Sequence, residues 1–218
     1  EGRRTATATN IKNALSSGRS WLTYIGHGSG TSWGSTNDSF GVSTIRTVNN
    51  PGRLPVIVDV ACDNGGFDNF EPCFGKAWVM HQVNGVSAGA VAYYGASVST
   101  SWDPPAVMSV GAAKRHFEGN LASVGATLLA GQLHLIQEMG MNGDTLDNLE
   151  WYNLFGDPSM YMRTAVPKSA DVAYTVSPVA GGNQLDINVT AERAAVSGAR
   201  VGVFDVTAGT LISQGQTN

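Results

Sequence analysis

Two side chains in this sequence carry chemistry that their surroundings do not explain: the imidazole of His27 and the thiol of Cys62. His27 stands in a glycine run, Gly26-His27-Gly28-Ser29-Gly30, and Cys62 follows an apolar stretch, LPVIVDVA, at residues 54–61. A thiol is a weak nucleophile at neutral pH, because its unperturbed pKa is about 8.5 and the thiolate is the reactive form. An imidazole within reach can take the proton or stabilise the thiolate, so a Cys–His pair equips a protein for nucleophilic acyl transfer. Attack on a carbonyl creates an oxyanion that needs N–H donors fixed in advance. Gly28, with no Cβ, can bring its N–H close to a substrate, and the N–H of Cys62 itself is the natural second donor. Taken singly, a Cys at the end of an apolar strand is ordinarily packing, and a His among glycines is ordinarily a solvated turn residue. Their joint placement favours catalysis.

That placement depends on the elements around them. Residues 21–25 (WLTYI) and 54–61 are short, apolar and rich in β-branched or aromatic residues, as strands are. The second has only Asp59 as a polar interruption, which is how a central strand covered on both faces reads. If the two are parallel neighbours, their C-terminal tips lie roughly 5–10 Å apart, and ligands of open α/β sheets sit outside those tips. The apolar spacing predicts helices over residues 5–15, 42–48, 74–83, 106–117 and 123–139, and a further buried strand over 88–94. The helix at 123–139 is expected to be amphipathic through Leu128, Leu129, Leu133, Leu135 and Ile136. Strands alternating with helices argue an α/β fold, a mostly parallel sheet flanked by helices with right-handed crossovers. Near Val166-Pro167 the pattern changes to short alternating strands at 171–176, 184–189, 199–206 and 211–214. These read as the start of an immunoglobulin-like β-sandwich, which normally needs about 100 residues. The expectation is therefore a piece of a longer polypeptide, cut at both ends.

Composition excludes several classes of function. Charged residues make up 14% of the 218 and hydrophobic residues 42%, with 27 glycines, which describes a buried globular chain with many turns. The net charge of −4 and 13 scattered Lys and Arg leave no footprint for nucleic acid. No apolar run is long enough for a membrane span. The only cysteines are Cys62 and Cys73. A bridge between them would close a short glycine-rich loop, and a free, functional thiol fits at least as well. No cofactor is expected. Asp63, Asp68 and Glu71 are the positions where a structural calcium ion would be sought, against the plainer reading of a solvated acidic loop. Cys73 is expected to open a helix and pack inward. His81, His116 and His134 show no ligand spacing, and Asp157 in Gly156-Asp157-Pro158 reads as a turn residue.

The strings around the pair resemble a known family. A His-Gly after one hydrophobic strand and an Ala-Cys after the next, here Gly26-His27-Gly28 and Ala61-Cys62, is similar to the caspase, legumain and gingipain clan. GHGSGTSWG at 26–34, DVACDNG at 59–65, Pro72-Cys73-Phe74, ASVSTSWDPP at 96–105 and LFGDPSMYMR at 154–163 look specifically like gingipains. The resemblance implies a caspase-like fold, a secreted or cell-surface location, and a cysteine endopeptidase acting on protein or peptide substrates through a thiol acyl-enzyme. It implies Cys62 as nucleophile, His27 as acid–base residue, and the N–H groups of Gly28 and Cys62 as oxyanion donors. It places Trp102 in the wall of a pocket for Arg or Lys, and Asp103 beside it. Residues 1–166 would then be the C-terminal part of a gingipain-like catalytic domain, and 167–218 a truncated immunoglobulin-like sandwich. Gingipains orient the His with an acid upstream of His-Gly; in residues 1–26 the only carboxylate is Glu1, so that acid is expected upstream. The competing reading is a surface or secretion-associated module that uses the peptidase fold as an interaction scaffold, or a transpeptidase.

Overall fold

The computed structural model describes residues 6–119, 121–163 and 168–218. The chain divides into two compact units, Glu1–Thr164 and Ala165–Asn218. The expected boundary at residues 166 and 167, and Glu1 and Thr5, lie outside the described residues.

In chain order the first unit holds α1 (Ala8–Ser16), β1 (Trp21–Ile25), β2 (Ser32–Trp33), β3 (Phe40–Gly41), α2 (Val42–Ile45) and β4 (Val56–Val60). There follow α3 (Phe74–Met80), β5 (Gln82–Val83), β6 (Val86–Ser87), β7 (Ala92–Ala96), α4 (Asp103–Phe117), α5 (Val124–Met139), α6 (Gly143–Trp151) and β8 (Tyr152–Gly156). The central sheet runs β1-β4-β7-β8. β1 is parallel to β4 and β4 to β7, whereas β8 is antiparallel to β7. The fold is thus mixed α/β: the sheet is parallel through β1, β4 and β7, in line with the expectation of a mostly parallel sheet, and β8 is its antiparallel edge. β8 returns to the edge beside β7 after α4, α5 and α6, and it follows α6 without a break.

Both inner strands are buried at every position because helices cover both faces of the sheet. Alternation sends Ile57 and Tyr93 to one face, where they meet Leu15, Ile45, Phe74 and Trp78. Val56, Val58, Ala92 and Tyr94 face the other way, onto Met108, Val124, Leu128 and Leu135. On the first face Trp33, Phe40, Phe74 and Trp78 form an aromatic cluster with centroids 5.1 to 6.5 Å apart. Such edge-to-face and offset pairs stabilise by about 1 kcal/mol each beyond the area they bury.

The differences from the sequence expectations have local causes. The helix expected over 74–83 stops at Met80, and Gln82–Val83 instead pairs with Val86–Ser87 across Asn84-Gly85, both at positive φ. That is the backbone a tight two-residue hairpin requires. α4 starts three residues before the expected position, because Pro104 and Pro105 lie in its first turn, where a missing N–H costs nothing. On α5, Leu128 and Leu135 are buried, but Leu129 and Leu133 are 55% and 57% exposed. The helix α6, capped by Asn142, was not expected.

The second unit contains β9 (Ala170–Val179), β10 (Gly182–Ala191), β11 (Ala194–Ala195), β12 (Arg200–Asp205) and β13 (Thr210–Gln216). β9 and β11 flank β10 in one antiparallel sheet, and β12 and β13 form a separate hairpin.

Candidate active site

The register of the central sheet brings the two reactive residues level. Ile25 lies opposite Val60 at the ends of β1 and β4, and His27 and Cys62 each follow two residues beyond. The ladder continues one step further, since the Gly26 N–H donates to the Val60 carbonyl at 3.1 Å. Both side chains thus leave the same end of the sheet from neighbouring strands, where α/β folds present their sites.

The backbone of His27 is held on both sides. Its N–H donates to Ser35 Oγ at 2.8 Å, and its carbonyl accepts from the Tyr24 hydroxyl at 2.9 Å and from the Gly34 N–H at 2.7 Å. The Tyr24 oxygen also accepts from the Ser35 N–H at 2.9 Å, and its ring stacks on Trp33 with centroids 4.7 Å apart. The imidazole is exposed and meets the ring of Trp102 edge-on, at 5.2 Å and 77°.

Cys62 is half-buried and forms no disulfide. Its Sγ accepts from the Thr100 N–H at 3.4 Å and lies 3.7 Å from the Thr100 carbonyl. The loop after Cys62 runs along the segment after β7: the N–H of Asp63 donates to Val98 at 3.1 Å, and that of Gly65 to Ala96 at 2.7 Å. Asp63 has φ of +64°, so the chain turns sharply just after the thiol, and the Asn64 N–H closes the turn onto the Cys62 carbonyl at 2.7 Å. One segment, residues 97–102, therefore touches both reactive side chains, through Thr100 and Trp102.

Gly28 lies against the Cys62 turn. A Cβ built on Gly28 would come 2.2 Å from the Cys62 carbonyl oxygen and 2.9 Å from Asn64 Nδ2, so no other residue fits there unless the backbone shifts. The two N–H groups expected to hold an oxyanion thus belong to backbone segments in direct contact.

Beneath these loops Asp59, the polar interruption of β4, is fully buried. Its Oδ1 accepts from Trp33 Nε1 at 3.0 Å, and its Oδ2 accepts from Asn64 Nδ2 at 2.9 Å and from the Tyr93 hydroxyl. Burial pushes its carboxyl up to about 6, with the three hydrogen bonds holding it back from a larger rise.

Asp103, expected beside the pocket, is the exposed first residue of α4, where a carboxylate meets the positive end of the helix dipole. Cys73 caps α3, its Sγ accepting from the Lys76 N–H at 3.4 Å, and burial pushes its thiol up. Glu71 pairs with Lys76 at 2.6 Å, and Asp63 accepts from Ser99 Oγ at 3.3 Å. Among the described residues no group of three or more His, Cys, Asp or Glu side chains is arranged to hold a metal ion, and no helix is long and apolar enough to cross a membrane. Sequence reasoning did not single out Tyr24, Ser35, Asn64 or Thr100, all of which touch the site.

Residues 1–163 match the family model described as peptidase family C25. Gingipain R2 of Porphyromonas gingivalis is 32% identical over 170 residues, covering 76% of this chain and 23% of that protein. Lys-gingipain of the same organism is 27% identical over 208 residues, 85% of this chain and 12% of that protein. Among solved structures, the crystal structure of the Arg specific cysteine proteinase gingipain R superimposes with a TM-score of 0.80 at 27% identity. That match covers 99% of this chain and 48% of the other. A complex of the pro- and mature domains of the Porphyromonas gingivalis enzyme gives 0.81, at 27% identity and with 99% and 49% covered. The chain spans less than a quarter of the length of these curated relatives and about half of these solved chains.

Proposed function

The chain belongs to peptidase family C25, and on that footing we propose that it is the part of a cysteine endopeptidase that carries the nucleophile, Cys62, and its acid–base partner, His27. The observation that carries this reading is the level emergence of His27 and Cys62 from paired parallel strands onto one shared segment, residues 97–102.

The chemistry follows from that arrangement. His27 takes the thiol proton, and the Cys62 thiolate attacks the carbonyl carbon of the scissile peptide bond. The N–H groups of Gly28 and Cys62 hold the oxyanion of the tetrahedral intermediate. The intermediate collapses as His27 gives its proton to the leaving amine, so the C–N bond breaks and a thioester remains on Cys62. Water, deprotonated by His27, attacks the thioester, and the thiolate leaves to release the acid product and restore the pair.

Cleavage after Arg or Lys is carried over from the relatives' names, Lys-gingipain and the Arg specific proteinase, with Trp102 as pocket wall and Asp103 nearby. Secretion or display at the cell surface belongs to the same reading, as does the assignment of β9 to β13 as the first strands of an immunoglobulin-like sandwich. The antiparallel pairing of β9, β10 and β11 supports that assignment.

Labelling tests the proposal. The folded full-length protein is treated with a thiol-reactive peptidyl inhibitor ending in Arg or in Lys, and the adduct is mapped by mass spectrometry. An adduct on Cys62 that His27→Ala abolishes supports the pair. An unlabelled Cys62 in folded protein with both reagents contradicts it.

A further inference from the structure

A carboxylate in the middle of a covered sheet is costly, because removing a charge from water is repaid only by close and complete hydrogen bonding. Asp59 has three such bonds, which offset part of that cost, and its partners are distributed in a telling way. Only Tyr93 belongs to the sheet. Trp33, in β2, and Asn64 come from the two segments that follow β1 and β4, the same segments that hold His27 and Cys62.

Each partner passes the constraint onward to the same short stretch of backbone. Trp33 forms an isolated antiparallel bridge with Gly28. Asn64 accepts the Gly30 N–H on its Oδ1 at 3.1 Å while its Nδ2 donates to Asp59. Its amide plane is therefore fixed from both ends, and it stands beside Gly28, within 2.9 Å of where a Cβ would be. Asn64 is also tied to Cys62 through its own N–H. The carboxylate reaches the backbone of residues 28–30 by two routes, at Gly28 through Trp33 and at Gly30 through Asn64, and the Cys62 backbone by one.

We propose that Asp59 is a positioning residue for acyl transfer: through Trp33 and Asn64 its carboxylate sets the Gly28 N–H against the Cys62 N–H, so that both donors point at one oxyanion. The inference rests on the peptidase reading above and deepens it. Asp59 touches no reacting atom, so it acts on the step that develops a negative oxygen and not on the thiol's intrinsic reactivity. A residue that served only the fold would lower stability without separating those two.

The separation is measurable on the full-length protein with a fluorogenic peptide amide carrying Arg at the cleaved bond. Asp59→Asn, which keeps the shape and removes the charge, is expected to lower kcat by roughly ten- to hundredfold. KM should stay within about threefold, because an interaction made in the transition state is lost and not ground-state binding. The rate of Cys62 alkylation by iodoacetamide, a reaction with no oxyanion, should stay within about twofold of wild type. An unchanged kcat in folded Asp59→Asn overturns the proposal, and so does a parallel fall of kcat and alkylation. If that variant does not fold, Asn64→Ala is read in the same way, and a wild-type kcat there overturns the proposal too. If neither folds, the network is structural and the proposal fails. A wild type that folds but cleaves neither the Arg nor the matching Lys peptide contradicts the peptidase reading itself, and this inference falls with it.

Discussion

The imidazole of His27 stands edge-on to the indole of Trp102, ring centroids 5.2 Å apart and planes at 77°, while two residues earlier Thr100 donates its N–H to the thiol of Cys62. A single segment after β7 thereby meets both reactive groups. The third strand of the sheet, and not only the two that carry the pair, shapes the site.

Backbone contact at Gly28 is a requirement that a single methyl tests. Gly28→Ala puts a Cβ 2.2 Å from the Cys62 carbonyl, so one loop must move away from the other. Peptide turnover should fall about a hundredfold, the scale of losing one oxyanion donor, while circular dichroism still reports the native secondary structure. Wild-type turnover would remove Gly28 from the oxyanion assignment.

The grip on His27 is open to a smaller change. Tyr24→Phe keeps the stack on Trp33 and deletes the hydroxyl that bonds the His27 carbonyl and the Ser35 N–H. Because these groups are exposed, the stability loss should be about 1 kcal/mol or less in urea unfolding. kcat should fall by roughly three- to tenfold as the imidazole loses its fixed origin. No change in kcat would show that Ser35 and Gly34 hold His27 unaided.

The two thiols should differ in reactivity. Cys73 is fully buried and its thiol is pushed up, whereas Cys62 is half-buried beside solvent. Limited iodoacetamide treatment of the folded protein at pH 7 should modify Cys62 at least about tenfold faster, as peptide mapping reads. Equal rates would contradict the described burial.

Asp59 makes stability depend on pH with a defined sign. Its carboxyl sits at about 6 in the folded protein against 3.8 when unperturbed, so between those values the folded chain keeps a proton that the unfolded chain has lost. This contribution is fully present below about pH 4 and is lost as pH rises through about 6; it amounts to about 3 kcal/mol. Unfolding free energies at pH 4.5 and pH 7 should therefore differ between wild type and Asp59→Asn, with wild type losing more on going to pH 7. Identical pH dependence would mean that Asp59 does not titrate with folding.

Much of this is legible in the sequence. The apolar runs ending at Ile25 and Ala61 foretold neighbouring strands, and strand-end position singled out His27 and Cys62. What resisted reading was long-range or masked by composition. Nothing local to Asp59 announces Trp33 or Tyr93, which lie 26 and 34 residues away and meet it only once the sheet and the β2–β3 hairpin form. The helix expected from residue 106 starts at Asp103, because a first turn accepts Pro104 and Pro105 although apolar periodicity does not mark them. α6 has only Leu146, Leu149 and Trp151 as large apolar residues, too few to mark a helical face. Leu129 and Leu133 fit the expected stripe on α5, but only the Leu128–Leu135 side packs into the core shared with α4 and the sheet.

The most direct test is the rate at which full-length Cys62→Ala cleaves an Arg- or Lys-containing peptide that wild type turns over. The substitution removes only a half-buried sulfur and should leave the fold intact. With Cys62 as nucleophile the rate falls by about 10⁴-fold or more. Cleavage by folded Cys62→Ala at the wild-type rate would contradict the account.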